Sequence, residues 1–359
     1  MLAFLLLGGL DHCLGNRFGL GEGFREGFMT MGSLALAMIG MNTVAPLLAD
    51  ALSGALVPLF RTIGADPSMF AGAILPNDSG GYALAMSLCG DARVGGYAGA
   101  VVASMMGVTF TFTIPFAFST VKEAETRRCL SRGLLIGIVT LPAGCVAGGL
   151  LSGLYGARLL LNLLPMLCMA AALFLCLLLF PEGSVRVMGA FGRLLSVFII
   201  LALMLAVVDH QTGAALFGGR LTPFSESLAI IGNIAVVLAG AFPLLKLLQK
   251  LLKWPLARLG ARMGVNETSV TGLFTTLINS IPTFGFMEKM DSRGKVLNAA
   301  FAVSAAFALG DHLGFTAGVC PEYLLPMIAG KLAGGFCALL LALYLTRNDS
   351  RVPNNAMEV

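Results

Sequence analysis

Charge is scarce in this sequence. Asp, Glu, Lys and Arg make up 12% of its 359 residues, about half of what a soluble domain carries. Histidine occurs 3 times and tryptophan once, and the 8 cysteines form no C-x-x-C pair. That spacing excludes a zinc-type cluster, and no cofactor is expected. Cys145, Cys168, Cys176 and Cys337 fall in apolar runs, where cysteine behaves as a small buried hydrophobe. No long polar insertion interrupts the chain, so no soluble enzyme is appended. The net charge of +4 is small, and no nucleic-acid partner is expected. The apolar start, Met1 to Leu10, lacks a basic region before it and a small-residue cleavage site after it, so it is not expected to act as a signal peptide. Leu10-Asp11-His12-Cys13 is likewise a poor lipidation site, and the run is short for a membrane span.

Apolar residues are plentiful, at 57%, with a mean hydropathy of +0.88. They fall in segments at about 1–14, 28–49, 68–90, 95–120, 132–154, 158–180, 190–209, 227–248, 267–288, 296–317 and 324–346. Most of these are long enough to cross a ~30 Å hydrocarbon core as a helix. Backbone groups in lipid must be paired internally, so the expected fold is an all-α polytopic membrane bundle.

Two segments are broken in the middle. Segment 68–90 contains Pro76-Asn77-Asp78-Ser79-Gly80-Gly81, and segment 267–288 contains Asn279-Ser280-Ile281-Pro282. Such residues interrupt a helix, and a bilayer tolerates the break only beside protein or a watery cavity. The breaks belong to an internal repeat. Gly32 matches Gly232, Pro46 and Pro58 match Pro243 and Pro255, Gly64 and Gly72 match Gly264 and Gly272, Asn77 falls near Asn279, and Gly107 near Gly310. The chain is therefore divided into a first repeat at 1–157, a linking helix at 158–189, a second repeat at 190–346 and a tail at 347–359.

Basic residues set the expected topology. If every segment crosses, Lys and Arg divide almost evenly between the two faces. If both broken segments are re-entrant hairpins, Arg61, Arg93, Arg158 and Arg220 stand alone on one face. Every other Lys and Arg, except Lys331 inside a segment, then falls on the opposite face. Cytoplasmic loops are enriched in Lys and Arg, which favours the hairpins. The expectation is about nine spanning helices and two hairpins entering from opposite sides, an inverted repeat. The N-terminus is then outside and the C-terminus inside. The basic run from Lys246 to Arg262 reads as a cytoplasmic surface helix on anionic lipid.

Candidate binding residues cluster at the breaks: Asn77, Asp78 and Ser79, Asn279 and Ser280, and Asp311-His312 between Gly310 and Gly314. Flanking glycines would let that last helix unwind. The matching stretch after Gly107 carries Thr109, Thr111 and Thr113. A carboxylate at mid-depth costs about 2.5–3.5 kcal/mol on insertion scales and is rarely idle. Asp78 and Asp311, with no basic neighbour in sequence, suit a cation; Asp78 is equally placed to cap the second hairpin arm. His312 reads either as a proton relay or as a helix-packing hydrogen bond, and Asn77, Asn279 and Ser280 either as ligands or as caps. Phe284, Phe315 and Tyr82 are available for a cation–π wall, although lipid- or core-facing aromatics are commoner. Gly144, Gly148, Gly149 and Gly153, spaced as G-x-x-x-G pairs, suit close helix packing within or between subunits. Paired broken helices point to a carrier working by alternating access. An ion-coupled carrier of an organic anion and an intramembrane acid–base enzyme are the competing readings.

Longer runs resemble one family. Glu26-Gly27-Phe28-Met29-Thr30-Met31-Gly32, then Met38-Ile39-Gly40-Met41, Asp66-Pro67-Ser68-Met69-Phe70-Ala71-Gly72, Met290-Asp291-Ser292-Arg293-Gly294-Lys295-Val296, and Phe301 to Phe315 are similar to the bacterial ethanolamine-utilisation permeases. The first tip departs from the family, reading Pro76-Asn77-Asp78-Ser79 where Cys-Asp-Met is expected. The resemblance implies an inner-membrane transporter, not an enzyme, that takes up ethanolamine as a cation. It leaves the coupling ion, Na⁺ or H⁺ or neither, open. Carriers of such architecture often work as homodimers.

Overall fold

A computed structural model describes residues 1–347, without the side chains at 249, 252–259 and 261. The cytoplasmic tail expected beyond Arg347 lies outside the described residues, as do the side chains of Lys253 and Arg258 in the basic run. The described residues form helices and turns with no strand.

In chain order, α1 (Leu2–Cys13) leads to α2 (Gly21–Thr62). A short pair follows, α3 (Ser68–Ile74) and α4 (Tyr82–Leu88), and then α5 (Ala92–Thr120), α6 (Ala124–Leu151), α7 (Gly156–Leu179) and α8 (Pro181–Thr212). The rest comprises α9 (Phe224–Met263), α10 (Glu267–Ile278), α11 (Ser280–Gly285), α12 (Ser292–Ala305), α13 (Asp311–Val319) and α14 (Leu324–Leu345). Seven helices are long and apolar enough to cross a membrane: α2, α5, α6, α7, α8, the Phe224–Leu248 part of α9, and α14 with the turn before it. The chain is a multi-pass membrane protein. Two of the nine expected crossings miss that measure for simple reasons. Helix α1 has 12 residues, and segment 296–317 is split between α12 and α13 by a turn at 306–310.

Two helices run well past the apolar segments that announce them. Helix α2 has 42 residues and α9 has 40, about 60 Å each at 1.5 Å per residue. The basic stretch after Lys246 thus continues α9 rather than forming a separate surface helix. At the foot of α9, Lys246 pairs with Glu22 at 2.8 Å.

The short pairs fold back on themselves. Helices α3 and α4 pack together, as do α10 and α11. Carboxylates tie each pair at its feet. Asp66 accepts hydrogen bonds from Ser68 N, Gly90 N and Asp91 N at 2.9–3.1 Å. Asp291 accepts from Asn266 N, Ser269 Oγ and Gly294 N at 2.8–3.1 Å. Each bond contributes on the order of 1 kcal/mol, more when the acceptor is charged. The first pair of feet lies at the start of α7, where Asp66 N donates to Asn162 Oδ1 at 2.7 Å and Asp91 pairs with Arg158. The second lies at the start of α6, where Ser292 Oγ donates to Glu125 at 3.1 Å and Lys295 pairs with Glu123. Helices α6 and α7 run antiparallel through a short turn, so the two hairpins enter from opposite ends of the bundle.

Local geometry recurs between the halves. Gly64 and Gly264 both have left-handed φ, +69 and +64°. Helix α2 packs on α9, and α6 packs on α14. Gly144 and Gly148 of α6 meet Gly330 and Gly334 of α14 backbone to backbone, so these glycines serve internal packing. Gly107 lies against the Leu75 carbonyl just before the first tip, and Gly310 against the Ile278 carbonyl just before the second. At either position a Cβ would overlap a carbonyl oxygen that cannot yield.

Gly107→Ala and Gly310→Ala should each destabilise the protein by about 1–3 kcal/mol through overpacking, read as a lower Tm in detergent. Gly32→Ala, where nothing lies within 4 Å of a built Cβ, should not lower it.

Candidate functional site

The first hairpin stops being helical at Leu75, because Pro76 holds its predecessor extended, at φ −117 and ψ 140°. A wide turn follows at Asn77–Gly81, in which Gly80 takes φ +98° at a place where a Cβ would run into the Met41 side chain. That turn aims Asp78 and Ser79 away from the hairpin axis, and Ser79 Oγ donates to Asp78 Oδ1 at 3.1 Å. Asn77 turns inward. It is buried, and neither of its amide atoms has a partner.

The second tip breaks at Asn279, which is extended at φ −155 and ψ 121°. Its Oδ1 accepts from Ile281 N at 2.8 Å and so caps α11. Ser280 is fully buried with an unpartnered hydroxyl. The end of α10 pairs with the turn between α12 and α13: Phe307 N donates to Thr276 O at 3.0 Å, and Leu309 N to Leu277 O at 2.8 Å. The unwinding expected around Gly310 is therefore present. Its left-handed residue is Phe307, at φ 61°, rather than a glycine. Asp311 then begins α13. His312 beside it is buried, its ring centroid 5.3 Å from that of Phe307 and its Nδ1 unpartnered.

These breaks converge on a cavity of about 750 Å³. Asp78 and Ser79 from the first tip and Asp311 and His312 from the second break line it together. Asn77, Asn279 and Ser280 do not reach it. The remaining walls come from one face of α5 (Thr111, Phe112, Phe116, Ser119) and one face of α8 (Gly192, Arg193, Ser196). The sequence reading missed most of this lining. The signal was present as helical spacing of Thr111, Pro115 and Ser119, and of Gly189, Arg193 and Ser196–Val197. A wall of otherwise apolar helices hides so small a polar stripe. Phe112, Phe116 and Phe307 line the cavity, and Phe284 is packed in the core.

Tyr82 and Phe315 have another place. Their rings meet edge to face, with centroids 5.9 Å apart. Both line a second pocket of about 200 Å³ with Asn42, Ser87, Thr222 and Glu226. The large cavity reaches Ser119 and Gly189, at the end of the bundle that holds the feet of the second hairpin. The small pocket reaches Ser87 and Thr222, at the end that holds the feet of the first.

Thr111 Oγ1 donates to Ile74 O at 2.6 Å, and Thr109 Oγ1 to Val303 O at 2.8 Å. Both bonds anchor α5, whose turns are wide from Tyr97 to Gly107 and from Thr109 to Thr113, to the interrupted elements beside it. Asp11 and Asp209 lie apart from the site; they accept backbone N–H bonds at helix ends.

Residues 1–345 match the family described as ethanolamine utilisation protein, EutH. Over 358 residues the chain is 45% identical to a probable ethanolamine permease EutH of Listeria monocytogenes serotype 1/2a (strain 10403S), covering 100% of this chain and 95% of the relative. It is 40% identical over 386 residues to the probable ethanolamine permease EutH of Salmonella typhimurium, covering 97% of this chain and 94% of that one. It is 42% identical over 350 residues to an uncharacterized protein, YxeR, of Bacillus subtilis (strain 168), covering 98% and 94%. No solved structure matches the chain. The similarity runs through both hairpins and the split helix that together frame the cavity, and on it the chain belongs to the EutH family of ethanolamine utilisation proteins.

Proposed function

We propose that this chain is a permease that carries ethanolamine, as its ammonium ion, across the bacterial cytoplasmic membrane by alternating access, and that it is not an enzyme. The observation that carries the reading is the meeting of Asp78 and Asp311 on one cavity from two separate breaks. Carboxylates at mid-depth are costly to insert and belong where a cation passes. Ser79, Thr111 and Ser196 supply hydroxyls for the solute's own hydroxyl, and Phe112, Phe116 and Phe307 supply ring faces for its ammonium. Relatives named as probable ethanolamine permeases support the choice of amine.

The cavity is many times larger than a solute of four heavy atoms, so it serves as an aqueous approach with the solute bound at its inner end. Four heavy atoms limit affinity to about −6 kcal/mol, tens of micromolar. An inside-negative potential contributes about 2.3 kcal/mol per charge per 100 mV, enough to concentrate a cation. Uptake therefore does not depend on tight binding.

Two hairpins from opposite ends, with like contacts at Gly107 and Gly310, fit an inverted repeat. On that reading the basic end of the bundle is cytoplasmic, the N-terminus is outside, and the large cavity is the inward opening. The small pocket by Asn42 and Glu226 is then the closed outer vestibule, with the Tyr82–Phe315 pair between it and the carboxylates. Arg193 at the cavity wall is a feature that suits an organic anion instead. It lies on the exposed α8 face while the carboxylates hold the inner end, which favours the amine. Competition by choline-like amines, and none by dicarboxylates, separates the two.

In proteoliposomes with an imposed inside-negative potential and acidic exterior, labelled ethanolamine should enter saturably. Asp78→Asn and Asp311→Asn should each lower the rate at least about tenfold, as expected for loss of a charge that meets the substrate. Leak-level uptake by the wild type removes ethanolamine as substrate. In a cysteine-free background, Thr111→Cys and Ser196→Cys should react with an impermeant thiol reagent from the cytoplasmic side, and Ser87→Cys from the outside. Labelling of all three from one side would overturn the proposed sidedness.

A further inference from the structure

The pocket of about 200 Å³ beside Ser87 shares none of its lining with the cavity that holds the two carboxylates. Several elements meet there. Asn42 and Pro46 come from α2, Tyr82 from α4, Glu226 and Ser227 from the first turn of α9, and Phe315 from α13. Thr222 N donates to Thr43 O at 3.2 Å, which draws the entry to α9 against α2 at the pocket wall.

Glu226 supplies a carboxylate to that wall, and no Lys or Arg is among the described residues that line it. Arg220, the nearest Lys or Arg in sequence, is taken up by Asp50. Among the described residues no basic side chain pairs with Glu226. The first repeat shows what a partner looks like. Glu26 stands at the same offset from Glu226 as Gly32 from Gly232, and it pairs with Lys246 at 3.6 Å. The acid thus has a structural partner in one repeat and none in the other.

Neutral groups beside Glu226 are also left open. Ser227 is fully buried and its hydroxyl has no partner, a state that is costly unless something enters to bond it. Pro46 has no N–H to return to the Asn42 carbonyl four residues before it. Helix α2 therefore leaves that acceptor without its regular donor on the face that lines the pocket. The Tyr82 and Phe315 rings add aromatic surface. A carboxylate, acceptor oxygens and rings in so small a space suit a small ammonium ion that also carries a hydroxyl.

We propose that this pocket is a second binding site for ethanolammonium, apart from the cavity carboxylates. Glu226 and the Asn42 carbonyl take the ammonium, and Ser227 and the Asn42 amide take the hydroxyl. The proposal rests on the amine reading of the permease and deepens it. A solute too small to be held tightly at any one place is then selected twice, once before the Tyr82–Phe315 pair and once at Asp78 and Asp311.

The test is protection of a thiol in the pocket. In a cysteine-free chain carrying Ser87→Cys, ethanolamine should slow labelling by an impermeant thiol reagent, and the effect should saturate. It should do so equally with Asp311→Asn added, where the cavity site is impaired. Glu226→Gln should raise the protecting concentration about three- to fivefold, as for a partly exposed ion pair, with a Tm near that of the wild type. Asn42→Ala should raise it for ethanolamine and not for ethylamine, which has no hydroxyl to place.

Uptake in proteoliposomes, measured beside it, keeps the two readings apart. Leak-level uptake with protection intact would end the permease reading and leave the site standing. Absence of protection overturns the site whatever the uptake. So does protection that Asp311→Asn abolishes and Glu226→Gln leaves unchanged.

Discussion

Backbone pairing in a medium without water is the constraint on which the rest of this structure depends. Each hairpin ends inside the bundle, so each tip exposes carbonyls and N–H groups that lipid cannot pair. At the second tip the turn at 306–310 answers this need, with Phe307 N and Leu309 N donating to the last carbonyls of α10. At the first tip, Thr111 Oγ1 donates to the Ile74 carbonyl, and Gly107 lets α5 close on Leu75. The interruption of one element is what satisfies the interruption of the other. A straight helix in place of α12–α13 would have its own N–H groups engaged and would leave the tip of α10 without donors.

The same pairing positions the chemistry. Asp311 stands at the start of α13 because the chain has just left its pairing with α10, and Asp78 stands in a wide turn because Pro76 and Gly80 prevent a regular helix. Each carboxylate faces the cavity as a consequence of a local break, and the two breaks adjoin because their tips share the middle of the bundle. The carboxylates at the feet do the opposite work. Asp66 and Asp291 are saturated with hydrogen bonds at the bundle ends and hold the hairpins closed, so one residue type has two roles set by what surrounds it.

Lys331 extends the argument from shape to charge. It is fully buried, and its Nζ donates to the Ser104 carbonyl in the wide-turned part of α5. The lysine faces a carbonyl, and Cys145 holds the corresponding place in α6. The two facing glycine stretches, at 144–149 and 330–335, are thus alike in packing, with a cysteine in one where the other has a lysine.

By itself the sequence determined the helical class, the two broken segments, and Asp78 and Asp311 as the residues of interest. Those follow from hydropathy, from the backbone chemistry of Pro and Gly, and from the cost of a carboxylate in lipid, all local properties. The tertiary structure alone decided which polar residues face one another. Asn279 caps α11, and Asn77 and Ser280 are buried at the tips outside the cavity lining, because a tip's orientation depends on what packs against it. Thr111, Ser119, Arg193 and Ser196 look unremarkable in sequence and line the cavity, because the facing of a membrane helix is set by its neighbours rather than by its own composition. Lys331 shows the same division: its presence inside an apolar run is plain from the sequence, and only the fold places its Nζ on the Ser104 carbonyl.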